Sequence, residues 1–198
     1  MNLVERAKKI ILEPKKEWQV IEQENTEVTQ ILISYLIPLA LIPAVASFIG
    51  YGFIGIEIPF FGHIGSISFG VRQAIVSIIT TIGGAFFSAF IIDALAPNFG
   101  SVKNFNRAVQ LVAYSYTPAM VAGIFYILPS LSILAGLAGI YGLYLLYLGI
   151  GPLMKTPQEK VTGYFVVSLI VTILVFVILS SILSALIIGS GLTGSVFN

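Results

Sequence analysis

The 198-residue chain is 57% hydrophobic and 10% charged, with a mean hydropathy of +0.99, against about 45–50% apolar and about 25% charged in ordinary soluble domains. Lipid is therefore the expected solvent. A formal net charge of +1 excludes the concentrated basic surface that a nucleic-acid partner needs, and the lack of cysteine beside a single histidine removes disulfides, thiolate nucleophiles and Cys-ligated metals.

Leu3, Val4, Ala7, Ile10 and Ile11 recur at helical spacing against Glu5, Arg6, Lys8 and Lys9, which predicts an amphipathic helix. The short run Ile10-Ile11-Leu12 stops at Glu13-Pro14, too soon for the core of a cleavable signal. A second helix is expected from Pro14, a residue suited to the first helical position, with Trp18 as an anchor at headgroup depth. Residues 1–30 thus read as a cytoplasmic leader and 31–198 as a membrane domain. The leader is expected to rest in the interface or to pack on the bundle's own loops.

Crossing roughly 30 Å of hydrocarbon takes about 20 helical residues, and runs at about 31–54, 72–96, 106–128, 130–150 and 161–188 meet that length. Helices are expected because each closes its own backbone hydrogen bonds in lipid. Breaks are predicted at Pro97-Asn98, Pro129-Ser130 and Gly151-Pro152. With five spans and the N-terminus inside, nine of the ten basic residues fall on the cytoplasmic side and only Arg72 on the other. The positive-inside rule therefore predicts an N-in/C-out, all-α, five-span integral membrane bundle. The loop at 55–71 alternates around Phe61-Gly62-His63 and predicts an external hairpin, with His63 a solvated loop residue rather than a ligand.

The acid placed inside a span is Asp93, about 5 Å from the end of the second run, where an ion pair with Lys103 or Arg107 is expected or, alternatively, a binding role. On the third run Arg107, Gln110, Tyr114 and Thr117 follow i, i+3, i+7, i+10 and share one face, which should meet protein. Pro118 has no N–H for the carbonyl of Tyr114, so a kink and hinge are expected there, with Ser115, Thr117 or a neighbouring helix satisfying that carbonyl. On the fourth run Gly136, Gly139 and Gly142 form small-residue surfaces for close helix packing, and Tyr141, Tyr144 and Tyr147 follow toward the cytoplasmic end. No paired acids, metal-ligand spacing or Ser/His/Asp set is present at one membrane depth, so neither catalysis nor a cofactor is expected.

Ala113-Tyr114-x-x-x-Pro118 resembles the Gly-Tyr-x-x-x-Pro motif of the Yip family, the Ypt/Rab-interacting multi-pass membrane proteins. The run Pro14-Lys15-Lys16-Glu17-Trp18, then the motif, then Tyr141-Gly142-Leu143-Tyr144-Leu145-Leu146-Tyr147 followed by Met154-Lys155 together look like a prokaryotic-type Yip domain over nearly the whole chain. The resemblance implies five spans, N-in and C-out. Alanine stands at 113 in place of the motif glycine, and the Asp-Leu-x-Gly-Pro signature of eukaryotic members does not precede the first span. The resulting expectation is a self-associating membrane scaffold or adaptor, with the bilayer, further copies and other membrane proteins as partners, in the cell inner membrane if the source is prokaryotic. The alternative is a small-ion or solute conduit whose cavity is lined by Asp93, Arg107, Gln110, Tyr114 and Thr117.

Overall fold

The computed structural model describes residues 2–58 and 62–189. It is an all-α bundle whose helices at Val28–Ile54, Ile67–Phe99, Phe105–Ile127, Pro129–Met154 and, through the described window, Gln158–Val175 are long and apolar enough to cross a membrane. These five spans match the predicted runs within a few residues at most boundaries. The largest shift of a helix start is at the second, which begins at Ile67 because Ser66 caps it, accepting from the Phe69 N–H at 3.2 Å. Arg72, the first residue of the predicted run, therefore lies inside the helix, exposed.

Between the first two spans, β1 (Ile56–Ile58) and β2 (Gly62–Ile64) pair antiparallel, Glu57 opposite His63. The expected hairpin is present, with Phe61 of its turn outside the described residues. His63 Nδ1 stands 3.2 Å from Glu57 Oε1, both exposed.

Two predicted breaks fall elsewhere. Pro97 and Asn98 lie within a 3-10 turn, Ala96–Phe99, and the chain turns at Gly100, whose φ of 67° only glycine adopts freely. The fourth span runs through Pro152 to Met154 and stops at Lys155, φ 51°. A proline in a helix forfeits one ladder bond, and so close to the helix end that loss does not terminate it. The break at Leu128-Pro129 is as expected, Leu128 being extended.

Ser101 Oγ meets Thr156 Oγ1 at 2.8 Å and the Val102 N–H reaches the Met154 carbonyl at 2.9 Å. These bonds tie the loop after the second span to the loop after the fourth. Arg107, at the start of the third span, binds the end of the leader. The leader and both loops thus share one end of the bundle, and by the positive-inside rule it is the cytoplasmic end.

The leader forms α1 (Leu3–Leu12) and α2 (Pro14–Gln23). Asn2 caps α1, accepting from the Val4 N–H, and Pro14 opens α2 as predicted. Their apolar stripes turn into the bundle, leaving Ile10, Trp18 and Ile21 at 0–1% exposure. Tyr141 of the fourth span donates to the Ile11 carbonyl at 2.7 Å, some 13 residues, or about 20 Å, before the end of that span. The leader therefore reaches into the cytoplasmic mouth of the bundle, which corrects the expectation of an interfacial anchor at Trp18. The reason is Gly149: a Cβ there would meet Trp18 ring carbons at 2.8 Å and Leu111 at 2.5 Å, so the bare backbone is the slot that admits the indole.

Candidate functional site

Pro118 divides the third span into Phe105–Ser115 and Thr117–Ala122 with Tyr116 between them. The proline cannot bond the Tyr114 carbonyl, and Thr117 Oγ1 donates to it at 2.7 Å. Because a hydroxyl has one proton, the 2.7 Å contact between Tyr35 and Thr117 must run from the tyrosine to Thr117 Oγ1. A directed chain results: Tyr35 O–H to Thr117, Thr117 O–H to the freed carbonyl. Ser115, the other candidate for that role, is buried, and its hydroxyl has no hydrogen-bond partner among the described residues.

Around this kink the rings gather. Tyr35 meets Tyr114 edge-on at 4.7 Å between centroids, Trp18 meets it at 6.3 Å, and the Arg6 guanidinium lies 5.5 Å from the same ring. Such aromatic and cation–π contacts add up to about 1 kcal/mol each where water is excluded.

Arg6 is 4% exposed. Its Nη1 bonds Glu17 at 2.6 Å, and Nη2 bonds Glu24. Burial works against the charge, yet the hydrogen bond to Glu24 and the surrounding carboxylates outweigh it, so the pKa of Arg6 stands above the ordinary arginine value. Sequence reading assigned Arg6 to the charged face of α1 and gave no role to Glu17, Glu24 or Tyr35. The signal was present: Arg6 falls between Leu3 and Ala7–Ile10 at i+3, and Glu17 adjoins Trp18 three residues after Pro14, so both share the buried stripe.

The predicted stripe Arg107, Gln110, Tyr114, Thr117 does face protein: Gln110 and Thr117 are fully buried and Tyr114 is 5% exposed. Arg107 Nη1 donates to the carbonyls of Ile21 (3.1 Å) and Glu24 (2.7 Å) and to Gln110 Oε1 (3.1 Å), and Nη2 donates to the Glu22 carbonyl (2.9 Å). A guanidinium on the last carbonyls of α2 caps that helix and complements its dipole.

Asp93 corrects an expectation. It forms no ion pair with Lys103 or Arg107; it is 8% exposed and its Oδ1 has no hydrogen-bond partner among the described residues. Arg107 is turned away to the leader, which accounts for the missing pair on that side. Neither Asp93 nor Arg107, Gln110 or Thr117 lines the cavity beside Tyr114, whose walls come from the leader and the first span. The five residues are not one polar cavity.

The predicted packing glycines also part company. A Cβ on Gly142 would meet the Ser115 carbonyl oxygen at 2.6 Å, so the fourth span crosses the kink there, whereas one on Gly136 or Gly139 would meet nothing within 4 Å. Among the described residues, Gly142 alone of the three packs within the chain.

Fold and site define a multi-pass helical membrane protein whose N-terminal helices lock onto a Tyr-x-x-x-Pro kink in the third span. A family model described as the Yip1 domain matches residues 8–181, and the chain belongs to the Yip family. No curated protein and no solved structure matches it.

Proposed function

We propose that the chain is a non-enzymatic membrane scaffold or adaptor that self-associates through the fourth span. The observation that carries this reading is the face at Gly136 and Gly139, open among the described residues and flanked by the exposed Ile133, Leu137 and Ile140. Without a hydrophobic drive between helices in lipid, such small-residue faces are where backbones approach most closely. The charged groups described above serve internal ends: Arg6 and Arg107 hold the leader down, and Tyr35, Thr117 and Tyr114 close the kink. What remains outward is a rigid cytoplasmic platform bearing exposed Lys8, Lys9, Lys15 and Lys16, suited to other membrane proteins or their partners. In a prokaryote the membrane is the cell inner membrane.

Mass measurement in nanodiscs tests the reading. Dimers or higher species are expected, with Gly136→Leu plus Gly139→Leu weakening association about tenfold at unchanged helicity. A strictly monomeric particle, or association indifferent to both substitutions, refutes it.

A further inference from the structure

Helix α1 runs across the spans rather than along them. Leu3 at its start shares a cavity wall with Gln30 and Ser34 of the first span, the Arg6 guanidinium rests on Tyr114 of the third, and Tyr141 of the fourth reaches the Ile11 carbonyl near its end. Packing on those spans buries Ala7 and Ile10. The stripe Val4, Lys8 and Leu12, at i, i+4 and i+8, is left facing outward, with Val4 67% and Leu12 65% exposed.

The outer surface of the spans marks the depth of this crossing independently. Toward the cytoplasm, the last large apolar side chain exposed on the second span is Phe90 among the described residues, and on the fourth it is Tyr147, one turn past the exposed Tyr144. On the fifth span Gln158, Glu159, Lys160 and Thr162 are exposed, and the exposed apolar surface begins at Val166. From Ile67 to Phe90 and from Pro129 to Tyr147 the helices rise about 36 Å and about 28 Å, a match to a hydrocarbon core of roughly 30 Å. The acyl region therefore ends near Phe90, Tyr147 and Val166, a depth that tyrosines favour. Tyr141 lies about 9 Å inside Tyr147 along the helix. That places α1 within the roughly 5–10 Å by which interfacial helices sink below the headgroups.

At this depth a charged face needs headgroups rather than acyl chains beside it. Lys9 pairs with Glu5 and Lys16 with Glu13, at 2.7 Å each, whereas Lys8 and Lys15 have no ion-pair partner among the described residues. Four lysines against Glu5 and Glu13 leave this stretch two positive charges in excess. Exposed apolar side chains one turn to either side of a free ammonium fit one kind of surface, an acyl boundary beneath acidic headgroups.

We propose that α1 lies in the headgroup layer of the cytoplasmic leaflet and binds anionic phospholipid there, Val4 and Leu12 entering the acyl boundary and Lys8 and Lys15 meeting the acidic headgroups. The inference goes beyond the scaffold reading and does not depend on self-association, which uses the fourth span. The chain has no cysteine, so Val4→Cys in the full chain takes a single bimane label. In nanodiscs of phosphatidylglycerol and phosphatidylcholine, with bromine on the acyl chains of one or the other, quenching reports which lipid lies beside α1. The two share phosphate and chains and differ in net charge. Brominated phosphatidylglycerol is expected to half-quench the label at about a fivefold lower mole fraction than brominated phosphatidylcholine. Lys8→Gln with Lys15→Gln, or about 0.5 M salt, should bring that ratio close to one at unchanged helicity. A label at Ile79→Cys, exposed on the second span, should show no preference. Quenching by neither lipid, as water or another protein over α1 would give, overturns the proposal. Equal quenching by both lipids, a preference that survives loss of the two lysines, or the same preference at Ile79 overturns it as well.

Discussion

Replacing Thr117 by valine keeps shape and volume but removes the proton given to the Tyr114 carbonyl and the oxygen that accepts from Tyr35. Thr117 is fully buried and lies 12 residues past the start of the third span, about 18 Å along that helix, in packed protein where water does not substitute. Stranding a buried polar group costs about 1–3 kcal/mol, while single hydrogen bonds within membrane bundles average only about 0.6 kcal/mol. Two stranded groups therefore put the loss for Thr117→Val near 2 kcal/mol. The sharper test is a cycle with Pro118→Ala, because alanine restores the N–H that the Tyr114 carbonyl lacks. In that background Thr117→Val strands only the Tyr35 hydroxyl, and its cost should fall to about 1 kcal/mol. Reversible unfolding in mixed micelles, followed by circular dichroism, measures all four corners. An equal cost in both backgrounds would show that Thr117 does not serve the carbonyl freed by the proline.

Removing one member of the buried Arg6–Glu17 pair leaves an uncompensated charge, so Arg6→Met should cost about 3–5 kcal/mol while Arg6→Met with Glu17→Leu recovers most of it; the same unfolding assay reads both, and no recovery in the double variant refutes the pairing. Gly149→Val should expel the sole tryptophan from its slot, seen as a red shift of its fluorescence, whereas Gly136→Val should leave the emission where it is; an unshifted Gly149→Val spectrum contradicts the packing. Glu5 and Glu13 titrate below the ordinary glutamate value because each accepts a hydrogen bond from a lysine, Lys9 and Lys16 respectively. A lowered folded value means that their contribution is present above the unfolded pKa and disappears as pH falls through the folded one. Both pairs are solvent-exposed, so about 0.5 M salt should move the two midpoints upward in a carboxyl carbon-13 titration, and salt-insensitive midpoints would remove the ion-pair explanation.

Part of the site was legible in the residues themselves. Pro118 has no donor wherever it stands, so the orphaned carbonyl of Tyr114 and a hydroxyl near it followed from chemistry alone. The spacing of Arg107, Gln110, Tyr114 and Thr117 fixed a common face by helical geometry. Arg6 and Glu17 were harder to place, because a charge on an apolar stripe reads as a solvated edge until a partner from another helix is known. Trp18 illustrates the same gap. An indole near a predicted span suits headgroups and cores alike, and the glycine that admits it lies 131 positions away in the chain.

Spans, sidedness and the kink are properties of composition, charge and local periodicity, and these the amino-acid order determines by itself, because lipid requires each helix to close its own hydrogen bonds. Which polar groups meet is a different matter. Asp93 was drawn toward Arg107 by nearness in sequence, yet the guanidinium went to the last carbonyls of α2. That choice, the descent of the leader into the bundle and the cavity beside Tyr114 depend on how separate helices are placed side by side, which only the tertiary structure decided.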